Sequence, residues 1–333
     1  MRSDPSFTVE VVRGNTVESA HQIHAVISDS SGRLQAWGWR ERPTIARSAI
    51  KSIQAIPLVT SGAADALSVS EEELALACAS HSGEPEHIEA VLGWLTRIGL
   101  SEADLECGPD TPIDPQALEQ LYASRSQPSA ILNCCSGKHA GFLSLAHHLG
   151  VPTGGYIDPG HEVQRRVTAA VETMTGAALA DQQPGIDGCG IPVFAISLQR
   201  LAYAMARLVD PVDLIGDLPS TTERVVSAAS RSFWVSGTDR TEMEISEVAT
   251  EAVVTKGGAE GVFMAGLPER GLGIAIKATD GRSRASRYAI KALLRHLDVM
   301  PPLDDDGQPI HNKAGDVSGQ MRALLSSPEH AVI

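Results

Sequence analysis

The chain has 333 residues and a formal net charge of −14, with 41 Asp and Glu against 27 Lys and Arg. That acidic balance, with no basic run, argues against nucleic acid or an anionic membrane as partner. Apolar residues make up 43% and aromatics only 4%, so the length allows two domains or one large α/β unit with an aliphatic core.

The chain contains no run of about 18 apolar residues, as a membrane-spanning helix requires. Met1-Arg2-Ser3-Asp4-Pro5 has no apolar signal region. The five cysteines are Cys78, Cys107, Cys134, Cys135 and Cys189. An odd number without an export signal fits reduced thiols in a cytoplasm rather than a disulfide framework.

In chain order, residues 8–13, 21–28 and 34–39 read as strands, the second with Ile23, Ala25 and Ile27 on one face, and Asp29-Ser30-Ser31-Gly32 as the turn between the last two. Helices are expected over residues 48–61, 70–79, 85–98, 116–123, 138–149, 162–175, 198–208 and 222–232. Ser70 opens the second with a capping-box pattern. Glycine-punctuated strands follow at 252–255, 261–265 and 273–277, then a helix over 283–297. A linker with Asp304-Asp305-Asp306 leads to a tail that stays polar until residues 321–325. The expected fold is α/β of the α+β kind, with an antiparallel sheet drawn from both chain ends (about 8–40 and 250–280) and a mainly helical part (about 48–245) layered on it. Residues 1–333 are read as a single catalytic unit.

Ser48 lies three residues before Lys51 where an apolar helical pattern begins. Such a pair shares one helix face. A serine needs a base, and a lysine serves if burial or a neighbouring cation lowers its pKa. Four loops of glycine and polar residues add chemistry. Cys78-Ala79-Ser80-His81-Ser82-Gly83-Glu84 offers hydroxyls and amides, although an ordinary loop with local serine bonds reads the same way. Asn133-Cys134-Cys135-Ser136-Gly137-Lys138-His139-Ala140-Gly141 precedes an apolar helix. Lys138 and His139 there oppose the helix dipole, which favours function over capping. The segment is not a phosphate loop, because Leu132 and His139 stand where its first glycine and its final Ser/Thr belong.

Gly185-Ile186-Asp187-Gly188-Cys189-Gly190-Ile191-Pro192 sets an Asp and a Cys among glycines. The spacing of Cys135 and Cys189 leaves a thiolate metal site open, with Lys138, His139, Asp187 or water to complete it. The fourth loop, Val254-Thr255-Lys256-Gly257-Gly258, places a lysine at a strand end. The order Ser-x-x-Lys, loop serine, strand lysine is that of penicillin-recognising serine hydrolases.

Together these motifs resemble the asparaginase II family, the Rhizobium etli-type, thermolabile or inducible L-asparaginases, over roughly residues 9–285. The resemblance implies hydrolysis of L-asparagine to L-aspartate and ammonia by a homodimer, with a fold similar to serine β-lactamases and glutaminases. It implies Ser48 as nucleophile with Lys51 as base, Ser80 and Lys256 as a second Ser–Lys pair, and a zinc ion held by Cys135, Lys138 and Cys189. Arg47, His139 and Asp187 are implied on the substrate side. Cys134 departs from the pattern, and Gly257 stands where a hydroxyl residue often follows the lysine. The alternatives are another Ser–Lys amide hydrolase, a glutaminase or a penicillin-recognising enzyme, and a non-catalytic protein that binds zinc or an amino acid.

Overall fold

The computed structural model describes residues 6–238, 240–303 and 307–329. Its strands, in chain order, are β1 Phe7–Arg13, β2 Thr16–Asp29, β3 Leu34–Trp37, β4 Pro43–Ile45, β5 Gly185–Ile186, β6 Pro192–Val193, β7 Ala195–Ser197, β8 Val254–Gly258, β9 Val262–Leu267, β10 Leu272–Ala278, β11 Gln308–His311 and β12 Val317–Leu325. The main sheet runs β11-β12-β1-β2-β10-β9-β8, with β3 also on β2, and its pairs are antiparallel. Both chain ends thus build one sheet, as expected.

Period-two alternation gives the sheet two apolar faces. Ile23, Ala25, Ile27, Ile274 and Ile276 join the helix Ser283–His296 on one side. Val26, Met264 and Ala275 join the helix Leu198–Val209 and the remaining helices on the other. That second approach is close: a Cβ at Gly273 would fall 2.1 Å from the Ala202 carbonyl and 2.2 Å from the Ala206 amide. Glycine is what lets helix backbone lie on strand there.

Several expectations need correction. The expected helix over 48–61 is three short pieces, a 3-10 turn Arg47–Ile50 and helices Lys51–Gln54 and Ile56–Thr60. Pro57, lacking an N–H, sits at the start of the third piece and fits a restart better than a continuation. The polar tail, given no element from sequence, forms strands: β11 and β12 make a hairpin, and β12 pairs with β1 from Phe7↔Leu325 to Val12↔Gln320. The sheet therefore takes residues beyond 280, and the part between its halves carries the small ladders β4–β7 and β5–β6. Helices Ser232–Ser236 and Thr241–Val248 were not foreseen. Asp304-Asp305-Asp306 lies outside the described residues. Among the described residues no helix is long and apolar enough to cross a membrane.

The helix Ser136–Leu149 begins two residues before the expected start, so Lys138 and His139 belong to its first turn. It is buried almost all round, as a helix in the middle of a helical layer must be. A Cβ at Gly137 would meet the Leu76 carbonyl at 2.6 Å, and one at Gly141 would meet Ala77 Cβ at 3.3 Å. This glycine pair lets the helix Glu71–Ala77 close on it and carries the Ser80 loop beside Cys135. The Ser70 capping box starts that helix: Glu73 N–H donates to Ser70 Oγ at 3.2 Å, and Ser70 N–H donates to Glu73 Oε2 at 2.9 Å.

Candidate active site

Arg47 has a φ of 51°, a left-handed conformation that side chains seldom adopt. It turns the chain sharply from β4 into the 3-10 turn and presents Ser48, half-buried, at the bend. Among the described residues Ser48 Oγ makes no hydrogen bond and the Ser48 amide donates none. The strand β8 passes against this turn, since a Cβ at Gly258 would sit 2.7 Å from the Ala46 carbonyl and 3.2 Å from the Ala49 amide. The Gly257 amide faces away from β9 and donates to Glu242 Oε1 at 2.9 Å. Two residues on, the Ala259 amide donates to nothing among the described residues. Between the Ser48 turn and the end of β8 opens a cavity of about 200 Å³, lined by Ser48, Ser80, Cys134, Arg240, Glu242 and Ala259 among others.

Three lysines are buried around it, Lys51 at 1%, Lys138 at 2% and Lys256 at 2% exposure. Lysine is almost never buried so completely without partners. Lys51 Nζ donates to the Ala79 carbonyl at 2.5 Å, to Ser80 Oγ at 2.8 Å and to Cys135 Sγ at 3.1 Å. Its partner in this structure is therefore Ser80, and no bond joins it to Ser48. Lys256 Nζ donates to the Gly257 carbonyl at 3.1 Å and lies 4.0 Å from Glu242 Oε1, and no bond joins it to Ser80. Burial pushes Lys256 down to about 8; Glu242 opposes that shift, while Lys51 and Arg240 add to it by like-charge repulsion. Burial raises Glu242 in turn, but Lys256 and the Gly257 amide outweigh it and hold the carboxyl below its ordinary range. Glu242 was missed from sequence because an acid in the first turn of a helix reads as an ordinary dipole partner.

Cys135, Lys138 and Cys189 do come together, from two segments of chain. Lys138 Nζ donates to Cys189 Sγ at 2.9 Å. Hydrogen bonds from Cys134 and Cys189, then the Lys51 and Lys138 charges, hold the Cys135 thiol well below its ordinary range against the cost of burial. Burial works against charge on Lys138, but the two sulfurs outweigh it and keep the amine above its ordinary range. Two thiols suit zinc, and the Lys138 amine joins them as a donor only once it has lost the proton that the sulfurs now favour. Among the described residues no group of three His, Cys, Asp or Glu side chains could hold a metal, so a zinc site here requires the lysine.

Arg47 and Asp187 form an ion pair, Nε to Oδ1 at 2.6 Å. The Asp187 loop closes on itself, with the Gly188 amide on Asp187 Oδ1 at 2.8 Å and the Asp187 amide on the Ile191 carbonyl at 2.9 Å. Asp187 Oδ2 is 3.9 Å from Cys189 Sγ. His139 is fully buried, with Nδ1 on the Tyr156 hydroxyl at 2.8 Å and Nε2 without a partner. Burial, aided by the Lys138 charge, pushes its pKa well down, so it is a neutral imidazole.

The model of the L-asparaginase II family matches residues 9–323. No curated protein matches the chain. Among solved structures, Mglu in its glutamate form is 16% identical with a TM-score of 0.48, over 86% of this chain and 62% of that one. The chain thus spans less than two thirds of that structure's length. A probable glutaminase from Bacillus subtilis complexed with 6-diazo-5-oxo-L-norleucine is 12% identical with a TM-score of 0.40, over 84% of this chain and 85% of that one. A β-lactamase from Mycobacterium bovis is 14% identical with a TM-score of 0.42, over 84% of this chain and 95% of that one.

Proposed function

The chain belongs to the L-asparaginase II family and is by that membership an amidohydrolase; from this premise we propose that it hydrolyses L-asparagine to L-aspartate and ammonia, with Ser48 as nucleophile. The observation that carries the proposal is the cavity in which an unbonded Ser48 meets Ser80, itself bonded to buried Lys51.

In the proposed cycle Ser48 Oγ bonds to the side-chain amide carbon as its proton passes through Ser80, which shares the cavity with it, to the Lys51 amine. The C=O electron pair collects on oxygen, which the free Ser48 and Ala259 amides receive as an oxyanion hole. The C–N bond then breaks, and ammonia leaves with the proton returned from Lys51 through Ser80. Water attacks the β-aspartyl ester by the same route in reverse, giving L-aspartate and free Ser48. Lys256, pushed down to about 8 by burial and further by the Lys51 charge, is a second amine that gives up its proton near neutral pH. We place the enzyme in the cytoplasm, as its cysteine usage suggests, and as a homodimer, as the resemblance implies.

Zinc is the proposed metal, held by Cys135, Lys138 and Cys189; bound there it supplies a fixed positive charge that orients a polar substrate group. Lys138 gives up a proton to bind it, so uptake releases acid. Metal analysis of the purified protein is expected to find zinc, and Cys189→Ser is expected to lose it. Equal zinc in both would move the metal elsewhere.

A substrate panel tests the function. Ammonia release is expected from L-asparagine, and more weakly from L-glutamine, since one methylene discriminates by about 1–3 kcal/mol. Turnover of a penicillin is not expected, because the cavity is smaller than the about 300–1,000 Å³ of drug-sized ligand sites. Penicillin hydrolysis without ammonia release would reverse the assignment, and bound zinc without any turnover would leave a binding protein.

A further inference from the structure

The cavity holds more positive charge than the proposed cycle uses. Three charged side chains line it, Arg240, Glu242 and Arg287. Glu242 is turned to the Gly257 amide and Lys256. Arg240 is half-buried and Arg287 exposed at the rim, and neither side chain has a hydrogen bond or an ion pair among the described residues. Arg240 Nε is enclosed and without an acceptor. Arg287 feels the Arg240 charge as repulsion. The Glu242 carboxylate attracts both guanidinium groups through space, yet it bonds to neither, and the enclosed Arg240 Nε is left for an acceptor that a ligand anion supplies. Arg47 and Asp187 do not line this cavity, and their charges are satisfied by each other.

We propose that Arg240, with Arg287 at the rim, binds the substrate's α-carboxylate and so selects free amino-acid amides over their α-esters. This rests on the amidohydrolase reading and names the group of the substrate that the site reads. A planar guanidinium takes a carboxylate through two parallel N–H bonds. Anchored there, an amino acid with a short side chain extends its amide toward Ser48 and Ser80 in the same cavity.

The test compares L-asparagine with its α-methyl ester in wild type, Arg240→Met and Arg240→Lys. Arg240→Met is expected to lower kcat/KM for L-asparagine about ten- to a hundredfold, chiefly through KM, and to leave the methyl ester within about twofold. Arg240→Lys is expected to recover part of the loss, because the charge remains. Calorimetry with L-aspartate supplies a readout free of turnover, in which wild type binds and Arg240→Met binds at least about tenfold more weakly. Equal losses on amide and ester, or unchanged L-aspartate binding, would overturn the proposal. If wild type releases no ammonia from L-asparagine yet binds L-aspartate through Arg240, the amidase reading fails and the carboxylate site stands.

Discussion

Lys51→Met is expected to lower ammonia release by about 10²- to 10⁴-fold, the range for loss of a positioned acid–base group. Methionine retains most of the buried stem and removes the amine that joins the Ala79 carbonyl, Ser80 Oγ and Cys135 Sγ. The fold loses donors to buried acceptors, a cost of about 1–3 kcal/mol, which thermal unfolding reads separately. A variant that melts within a few degrees of wild type yet turns over very slowly places Lys51 in the proton path. Turnover within about tenfold of wild type would remove it from that path.

The second large effect is on pH. Lys256 is buried and drawn down to about 8, and Lys51 repels it. In the proposed cycle the site is active once Lys256 has lost its proton, so kcat/KM is expected to rise with pH along a limb centred near 8. The Glu242 charge raises that value. Glu242→Gln removes the charge and keeps the acceptor oxygen for the Gly257 amide, so the limb is expected to move to lower pH. Lys256→Met removes one of the two like charges, and the limb is expected to vanish from this range. A pH–rate profile of the three proteins checks the sign: a limb that moves up in Glu242→Gln, or stays in Lys256→Met, would contradict the pairing.

Much of the scaffold was legible because local signals and tertiary packing agree there. The helix Glu162–Thr175 has the bounds expected from its apolar spacing and from Gly176, which takes a φ of 65° as its cap. The Ser70 capping box and the alternation in β2 work the same way. The hairpin β11–β12 was not legible, because its strands are short of apolar alternation and stay half-exposed along most of their length. Their strand identity comes from pairing with β1, which no local pattern announces. The sharp turn into Ser48 was hidden in the same way, since Arg47 adopts a left-handed backbone that its side chain disfavours and its surroundings impose.

The site divides along a similar line. Motifs rich in Ser, Cys, Lys and Gly mark where chemistry sits, and the fold brings Ser48, Lys51, Ser80, Cys135, Lys138 and Cys189 into one neighbourhood. Which serine meets which lysine was not readable from spacing. Lys51 reaches across to Ser80 because the helices Glu71–Ala77 and Ser136–Leu149 close over glycines and carry the Ser80 loop to it. Glu242 and Arg240 lie in a stretch of ordinary charge pattern, and they matter only because β8 and the turn at Ser48 enclose a cavity beside them.

The proposed enzyme is an asparagine amidase acting through Ser48. Ammonia release from L-asparagine, with L-glutamine alongside, by the purified protein and by Ser48→Ala tests it most directly. Steady release from L-asparagine is expected, with a loss of about 10⁴- to 10⁶-fold in the variant, the scale seen when a hydrolase loses its nucleophile or that group's partner. Substantial turnover by Ser48→Ala, or no release from either amide by the wild-type protein, would contradict it.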